Sequence, residues 1–147
     1  MSENKKRALI LCTGNSCRSQ MAEAIWNHLG GEEWEAVSAG SKPAGYVHPM
    51  AIELLKEKSL PTEGLVSKSV DEFAGQDFDL VVTVCDNAKN DCPVFAGAKL
   101  TLHWPFEDPN DAEGGPEEKM KVFRSVADLI EARIGAYLDK LRGDDCV

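Results

Sequence analysis

Apolar residues fall along this chain in two alternating patterns: short continuous runs, and stripes at helical spacing. Ala8-Leu9-Ile10-Leu11 is a continuous run of strand length. Met21, Ala22, Ile25, Trp26 and Leu29 follow on one stripe of a helix. Residues 34–39 read as a second strand, ended by Gly40. Pro49 opens a helix through Lys58 that turns Ala51, Leu54 and Leu55 inward. A shorter helix is expected over 69–74, a β-branched strand over 80–84 and a fourth strand over 100–104. Gly114-Gly115-Pro116 leads into the last helix. There Val122, Val126, Leu129, Ile130, Ile134, Tyr137, Leu138 and Leu141 keep one face over several turns.

Short apolar strands alternating with amphipathic helices predict an α/β fold, with a central parallel sheet of four strands covered on both faces as a three-layer sandwich. Ligands of such sheets bind beyond the carboxyl ends of the strands. Cys12, Cys85 and the loop after Trp104 all fall there. A chain of 147 residues is the size of one domain, and the whole of 1–147 is read as one.

The junction between the first strand and helix carries the clearest chemistry. Cys12-Thr13-Gly14-Asn15-Ser16-Cys17-Arg18-Ser19 starts with a cysteine at a strand end and runs into a helix N-terminus. Unpaired N–H groups at a helix start converge on an anion, and the helix dipole favours negative charge there. Gly14 is expected to let the backbone close around a ligand. Arg18 supplies a planar fork for two oxygens of a tetrahedral anion. The same positive field favours a thiolate, the nucleophilic form of cysteine. Cys12 is therefore the candidate nucleophile, and Thr13 to Ser19 the candidate substrate-binding residues. The plainer alternative is a buried strand-end thiol beside a surface arginine. A nucleotide-binding loop of the Walker type is excluded, since no Gly-Lys-Ser/Thr follows.

The formal net charge of −9 argues against nucleic acid or an anionic membrane as partner. An anionic substrate must then be attracted locally, by the loop and Arg18. The apolar run after the basic N-terminus is too short for a signal peptide, which predicts a cytoplasmic protein. In that setting five cysteines do not read as a fixed disulfide framework. Cys85 and Cys92 bracket a polar, turn-prone stretch. As a helix it would hold their Cα atoms about 10 Å apart at about 1.5 Å per residue. A disulfide needs roughly 4.4–6.8 Å, so pairing requires the segment to unwind. Either a disulfide forms there during turnover, or these are two unrelated loop thiols. Cys17 is read as tuning Cys12 or pairing with it on oxidation, and Cys146 as a bystander. No Cys-x-x-Cys occurs, and His28, His48 and His103 lack ligand spacing, so no metal site is expected. The histidines read as structural or solvent-facing. Asp108, on the loop after the fourth strand and stiffened by Pro109, is placed to protonate a departing oxygen.

These residues resemble the thioredoxin-coupled arsenate reductases, which are built on the low-molecular-weight protein tyrosine phosphatase fold. The resemblance runs from about Arg7 to Leu141. It rests on the run from Cys12 to Glu23, Ser38-Ala39-Gly40, Val82-Thr83-Val84-Cys85, Asp91-Cys92-Pro93 and Glu107-Asp108-Pro109. It implies a relay in which Cys12 attacks arsenate with help from Asp108, Cys85 attacks Cys12 to release arsenite, and Cys92 attacks Cys85. A Cys85–Cys92 disulfide is then left for thioredoxin, with no redox cofactor. Some relatives hold a potassium ion beside the loop through an Asn, a Glu, a Ser and an Asp. Asn15, Glu23 and Ser38 match the first three, and Lys68 falls at the fourth. The expectation is that the Lys68 ammonium replaces the ion, with Glu23 as its charge partner.

Two rival functions remain. A phosphotyrosine phosphatase would need only Cys12, Arg18 and Asp108. The phosphatases of the family usually carry a tyrosine soon after Asp-Pro, where Asn110 stands here, and Cys92 favours reduction. A non-enzymatic oxyanion binder or redox sensor would leave Asp108 and the dithiol without a role. A monomer is expected, and the donor is thioredoxin or glutaredoxin.

Overall fold

The computed structural model describes residues 5–84 and 95–145. Cys85, Cys92 and Cys146, and with them the expected dithiol segment, lie outside the described residues.

Four strands form one sheet: β1 (Lys6–Cys12), β2 (Trp34–Gly40), β3 (Leu80–Thr83) and β4 (Thr101–His103). All pairings are parallel and the order is β2-β1-β3-β4. β1 is thus central and buried on both faces from Ala8 to Cys12, which is why its apolar run has no polar alternation. In register, Cys12 lies opposite Gly40, and Leu11 opposite Thr83.

The two faces are covered unequally. Ala8, Ile10 and Cys12 pack with Val82 and Val84 against α1 (Arg18–Gly30), α2 (Pro49–Glu57) and α3 (Pro116–Asp145). Leu9 and Leu11 point the other way, into a smaller cluster with Phe78 and Val81. Among the described residues that side is closed by a 3-10 turn (Val70–Phe73) with Phe95 and Ala98. The helix expected over 69–74 is this single tighter turn: Ser69 and Glu72 form a capping box, and Gly75, at φ 84°, ends it. On the helix side, Trp26 stacks on Trp104 at 6.0 Å and meets Trp34 edge-on at 5.3 Å. These rings tie α1 to the sheet.

The stripe predicted for the last helix needs one correction. Val126, Ile130, Ile134 and Leu138 are buried, together with Met120, Phe123 and Ala127, but Leu129 is 57% exposed. One residue subtends about 100° at 3.6 residues per turn, so Leu129 stands a step round from Ile130 and misses the core. No helix of the described residues is long and apolar enough to cross a membrane.

Candidate active site

The loop from Cys12 to Arg18 leaves the carboxyl end of β1 and is wrapped by the segment that follows β2. Backbone N–H groups of Ser41, Lys42, Ala44 and His48 donate to the carbonyls of Cys12, Thr13, Gly14 and Ser16, at 2.8–3.3 Å. In a trans peptide the next N–H points opposite the carbonyl. The N–H groups of Thr13, Gly14, Asn15 and Cys17 therefore face away from this strap, and that of Asn15 donates to Cys12 Sγ. Cys17 stands at the N-cap of α1 without a side-chain cap, so the first N–H groups of the helix are also left for a ligand.

The turn is held at two positions. Asn15 adopts φ 49°, a left-handed conformation that asparagine tolerates better than most residues. Gly40 is the glycine that close packing requires: an added Cβ would lie 2.4 Å from the Thr13 carbonyl and 3.1 Å from Asn15. At Gly14, expected to let the backbone close around a ligand, an added Cβ would meet only Ala44 within the protein, at 4.0 Å, and Gly14 lines the cleft.

A buried chain of hydrogen bonds reaches Cys12 from below. The Asn15 side-chain amide donates to Ser19 Oγ at 2.7 Å and to Ser38 Oγ at 2.9 Å. Ser38 in turn donates to Glu23 Oε1 at 2.6 Å. Ser19 Oγ, having accepted from Asn15, lies 2.9 Å from Cys12 Sγ, and its own hydroxyl proton is free to go to sulfur. The Asn15 N–H also donates to Sγ, at 3.1 Å. The Cys12 sulfur is thus within reach of two hydrogen-bond donors, the Asn15 N–H and the Ser19 hydroxyl.

Asn15 Oδ1 is already engaged, accepting from the Lys68 N–H at 2.7 Å and from Gln20 Nε2 at 3.0 Å. The Lys68 ammonium donates to the Val66 carbonyl at 2.9 Å and lies 3.7 Å from Glu23 Oε1. Burial raises the Glu23 carboxyl above its ordinary value, against the Ser38 hydrogen bond and the Lys68 charge. Asn15 Oδ1, Ser38 Oγ and Glu23 Oε1, oxygens of the residues matched to the ion site, are thus hydrogen-bonded within the protein, with the Lys68 ammonium beside Glu23.

Arg18 forms the opposite wall. It is buried; Nη1 donates to the carbonyls of Phe106 at 3.0 Å and Val84 at 3.3 Å. Nη2 lies 3.4 Å from Asp108 Oδ2. The other carboxylate oxygen of Asp108 accepts from the Asn110 N–H at 3.0 Å and caps the short 3-10 turn Pro109–Asp111. Cys17 is buried, and its thiol is pushed up to about 12, first by burial and then by Asp108. The Cys17 thiol is thereby disfavoured as a thiolate.

The cleft among these groups is about 110 Å³ and is lined by Cys12, Gly14 to Arg18, Ala44, Tyr46, Asp108 and Asn110. Pockets for larger organic ligands run to roughly 300–1,000 Å³; this one suits a small anion. Of the residues expected to bind substrate, Thr13 and Ser19 are absent from the lining side chains. Thr13 is held through its carbonyl by the Lys42 N–H, and Ser19 lies against the Cys12 sulfur. Tyr46, His48 and Gln20 join the site without having been singled out. Tyr46 and His48 belong to the strap, whose irregular sequence carries no periodic signal.

A strand-end cysteine, an anion loop closed by arginine and an aspartate facing them define a phosphatase-like oxyanion site. The chain belongs to the low molecular weight phosphotyrosine protein phosphatase family, whose profile matches residues 7–146. The arsenate reductase of Halalkalibacterium halodurans is 44% identical over 136 residues, covering 92% of this chain and 97% of that protein. A solved arsenate reductase in the phosphate-binding state superposes with a TM-score of 0.78 at 30% identity, covering 92% of this chain and 98% of that one. A thioredoxin-dependent arsenate reductase of Corynebacterium glutamicum superposes at 0.71 with 25% identity, covering 98% of this chain and 65% of that one.

Proposed function

We propose that this chain reduces arsenate to arsenite in the cytoplasm by a relay of three cysteines. The Cys12 thiolate attacks arsenic(V), a hydroxyl leaves as water with a proton from Asp108, and a sulfur–arsenic bond forms. Cys85 then attacks Cys12; the sulfur–arsenic bond breaks and its electron pair leaves with arsenic as arsenite. Cys92 attacks Cys85, freeing Cys12 and leaving a Cys85–Cys92 disulfide. Two thiols are oxidised for each two-electron reduction, and a dithiol donor of the thioredoxin kind restores them.

The observation that carries this reading is the double hydrogen bonding of Cys12 Sγ within a small anion cleft faced by Arg18 and Asp108. Support for reduction over ester cleavage comes from the names of the relatives and from Cys85 and Cys92 in the sequence. The thioredoxin dependence of the Corynebacterium protein supports the choice of donor. A weak phosphatase activity is expected beside it, since phosphate shares the shape and charge of arsenate. The Cys92→Ser variant tests the relay: it should keep any phosphatase activity and lose repeated arsenate turnover with thioredoxin. Sustained turnover by that variant removes Cys92 from the mechanism.

Lys68 is proposed to stabilise the loop in place of a potassium ion. The short reach from its ammonium to Glu23 and Val66 supports this. Thermal stability and arsenate affinity should be equal in potassium and sodium at the same ionic strength. A rise in potassium alone contradicts it.

A further inference from the structure

The strap after β2 takes the carbonyls of Cys12, Thr13, Gly14 and Ser16, whereas the Asn15 carbonyl is taken by a side chain. Gln20, the third residue of α1, is fully buried and reaches back five residues to it. Its Nε2 lies 3.1 Å from the Asn15 backbone oxygen, 3.0 Å from Asn15 Oδ1 and 2.8 Å from the Val66 carbonyl. Two protons thus serve three oxygens. Two of those oxygens are backbone carbonyls, which only accept, so the direction of the amide is settled. Gln20 Oε1 is buried and has no hydrogen-bond partner among the described residues. The side chain is held by its donor end alone.

We propose that Gln20 is a positioning residue for Cys12: by holding both oxygens of Asn15 it keeps that residue in the turn that brings its N–H, and the Ser19 hydroxyl, to the sulfur. The proposal rests on the reading of Cys12 as the nucleophile. Asn15 sits at φ 49°, a conformation that costs a residue with a Cβ and persists where its surroundings enforce it. In that conformation its N–H lies 3.1 Å from Cys12 Sγ. Gln20 and the Lys68 N–H both donate to Asn15 Oδ1, which turns the Asn15 amide nitrogen toward Ser19 Oγ and Ser38 Oγ. Ser19 Oγ, so occupied, has its hydroxyl proton left for the sulfur 2.9 Å away. The bond to Val66 ties the same amide to the segment 66–68, from which Ser67 Oγ donates to the Gly14 carbonyl at 3.2 Å. Without the Gln20 donor the Asn15 backbone carbonyl is left buried and unpaired, and the turn is free to relax. Donors to a sulfur favour its thiolate, so their loss moves thiolate formation to higher pH.

The test uses the fully reduced full chain and reads the rate of iodoacetamide alkylation at Cys12, located by peptide mass spectrometry, from pH 5 to 9. Gln20→Met fills much the same space and removes the donor, and no acceptor contact is lost with it. Its Cys12 profile should lie about one pH unit above that of wild type, so that alkylation on the acid side is about tenfold slower. Gln20→Asn keeps the amide but holds it one methylene short. It should move the profile the same way by less, and it carries the test if Gln20→Met does not fold. Ile134→Val, buried in α3, should lower the thermal midpoint and leave the profile in place. A wild-type profile in Gln20→Met, or in Gln20→Asn where that variant carries the test, overturns the proposal. So does an equal shift in Ile134→Val, which would make the effect one of general loosening. Single-turnover arsenite release by wild type is measured in parallel. If wild type releases no arsenite yet Gln20→Met shifts the profile, the arsenate reading fails and the positioning role stands. If wild-type Cys12 alkylates no faster than Cys17 at pH 7, the nucleophile reading fails and the proposal with it.

Discussion

Arg18 Nη2 lies 3.4 Å from Asp108 Oδ2, so the guanidinium that would clamp an oxyanion and the carboxyl that would protonate it share one wall of the cleft. The guanidinium is anchored by two backbone carbonyls, and the carboxylate by the N–H of Asn110. The acid is thereby held beside the charge that attracts the substrate, at the cost of its own negative charge facing an incoming anion.

Asp108→Asn should separate these effects. The rate of the first turnover should fall by about 10²-fold or more, the usual contribution of a positioned general acid. Phosphate affinity, measured by calorimetry, should be unchanged or higher, because a like charge is removed. An unaltered rate would take Asp108 out of the chemistry.

Ser19→Ala removes the hydroxyl beside Cys12 Sγ and leaves one Asn15 amide proton without its acceptor. An unsatisfied buried donor costs about 1–3 kcal/mol. The thermal midpoint should therefore drop, and alkylation of Cys12 at neutral pH should slow as the sulfur loses a donor. Unchanged alkylation would show that Ser19 matters to the loop alone.

Gly40→Ala places a methyl against the Thr13 carbonyl, a backbone atom with nowhere to move except with the loop. Overpacking of this kind costs about 1–3 kcal/mol, and oxyanion affinity should fall with stability. The matched variant Gly14→Ala should leave the thermal midpoint nearly unchanged, since its Cβ meets little. Equal melting of the two would contradict the assignment of Gly40 as the required glycine.

Glu23 predicts a pH signature. Its carboxyl is raised above the ordinary 4.5, so the folded chain binds this proton more tightly than the unfolded chain. The associated stability is present below 4.5 and is lost as pH rises through the higher folded value. Glu23→Gln cannot ionise, so its thermal midpoint should gain on that of wild type across this window. Parallel curves from pH 4 to 7 would contradict the raised value.

The elements around Cys12 were legible because one pattern dominated each. The run from Ala8 to Leu11 is buried on both faces, and Met21, Ala22, Ile25 and Trp26 of the stripe are buried too, although Arg18 to Gln20 and Ala24 beside them are buried as well. Leu129 misled because an apolar residue next to Ile130 looks like part of the stripe, although its direction differs by a step of the helix. Arg18 and Asp108 were found from their places after strands, but their mutual contact was not, since it joins residues 90 apart in sequence through the sheet. Gly40 went unread as a packing glycine because its demand comes from the Thr13 carbonyl, a neighbour only in the β1–β2 register. Ser19 was assigned to the substrate by its place in the loop, whereas its hydroxyl points to Cys12 from the first turn of α1. His48 was read as structural or solvent-facing; its cap to Met50 is local, whereas its backbone bond to Ser16 is tertiary and left no pattern in the sequence.

The most direct test of the account is a single turnover: fully reduced chain, excess arsenate and no external reductant, followed by arsenite assay and disulfide mapping. The relay predicts about one arsenite per chain, with Cys85 joined to Cys92 and Cys12 again free. No arsenite, with all thiols still reduced, would contradict it.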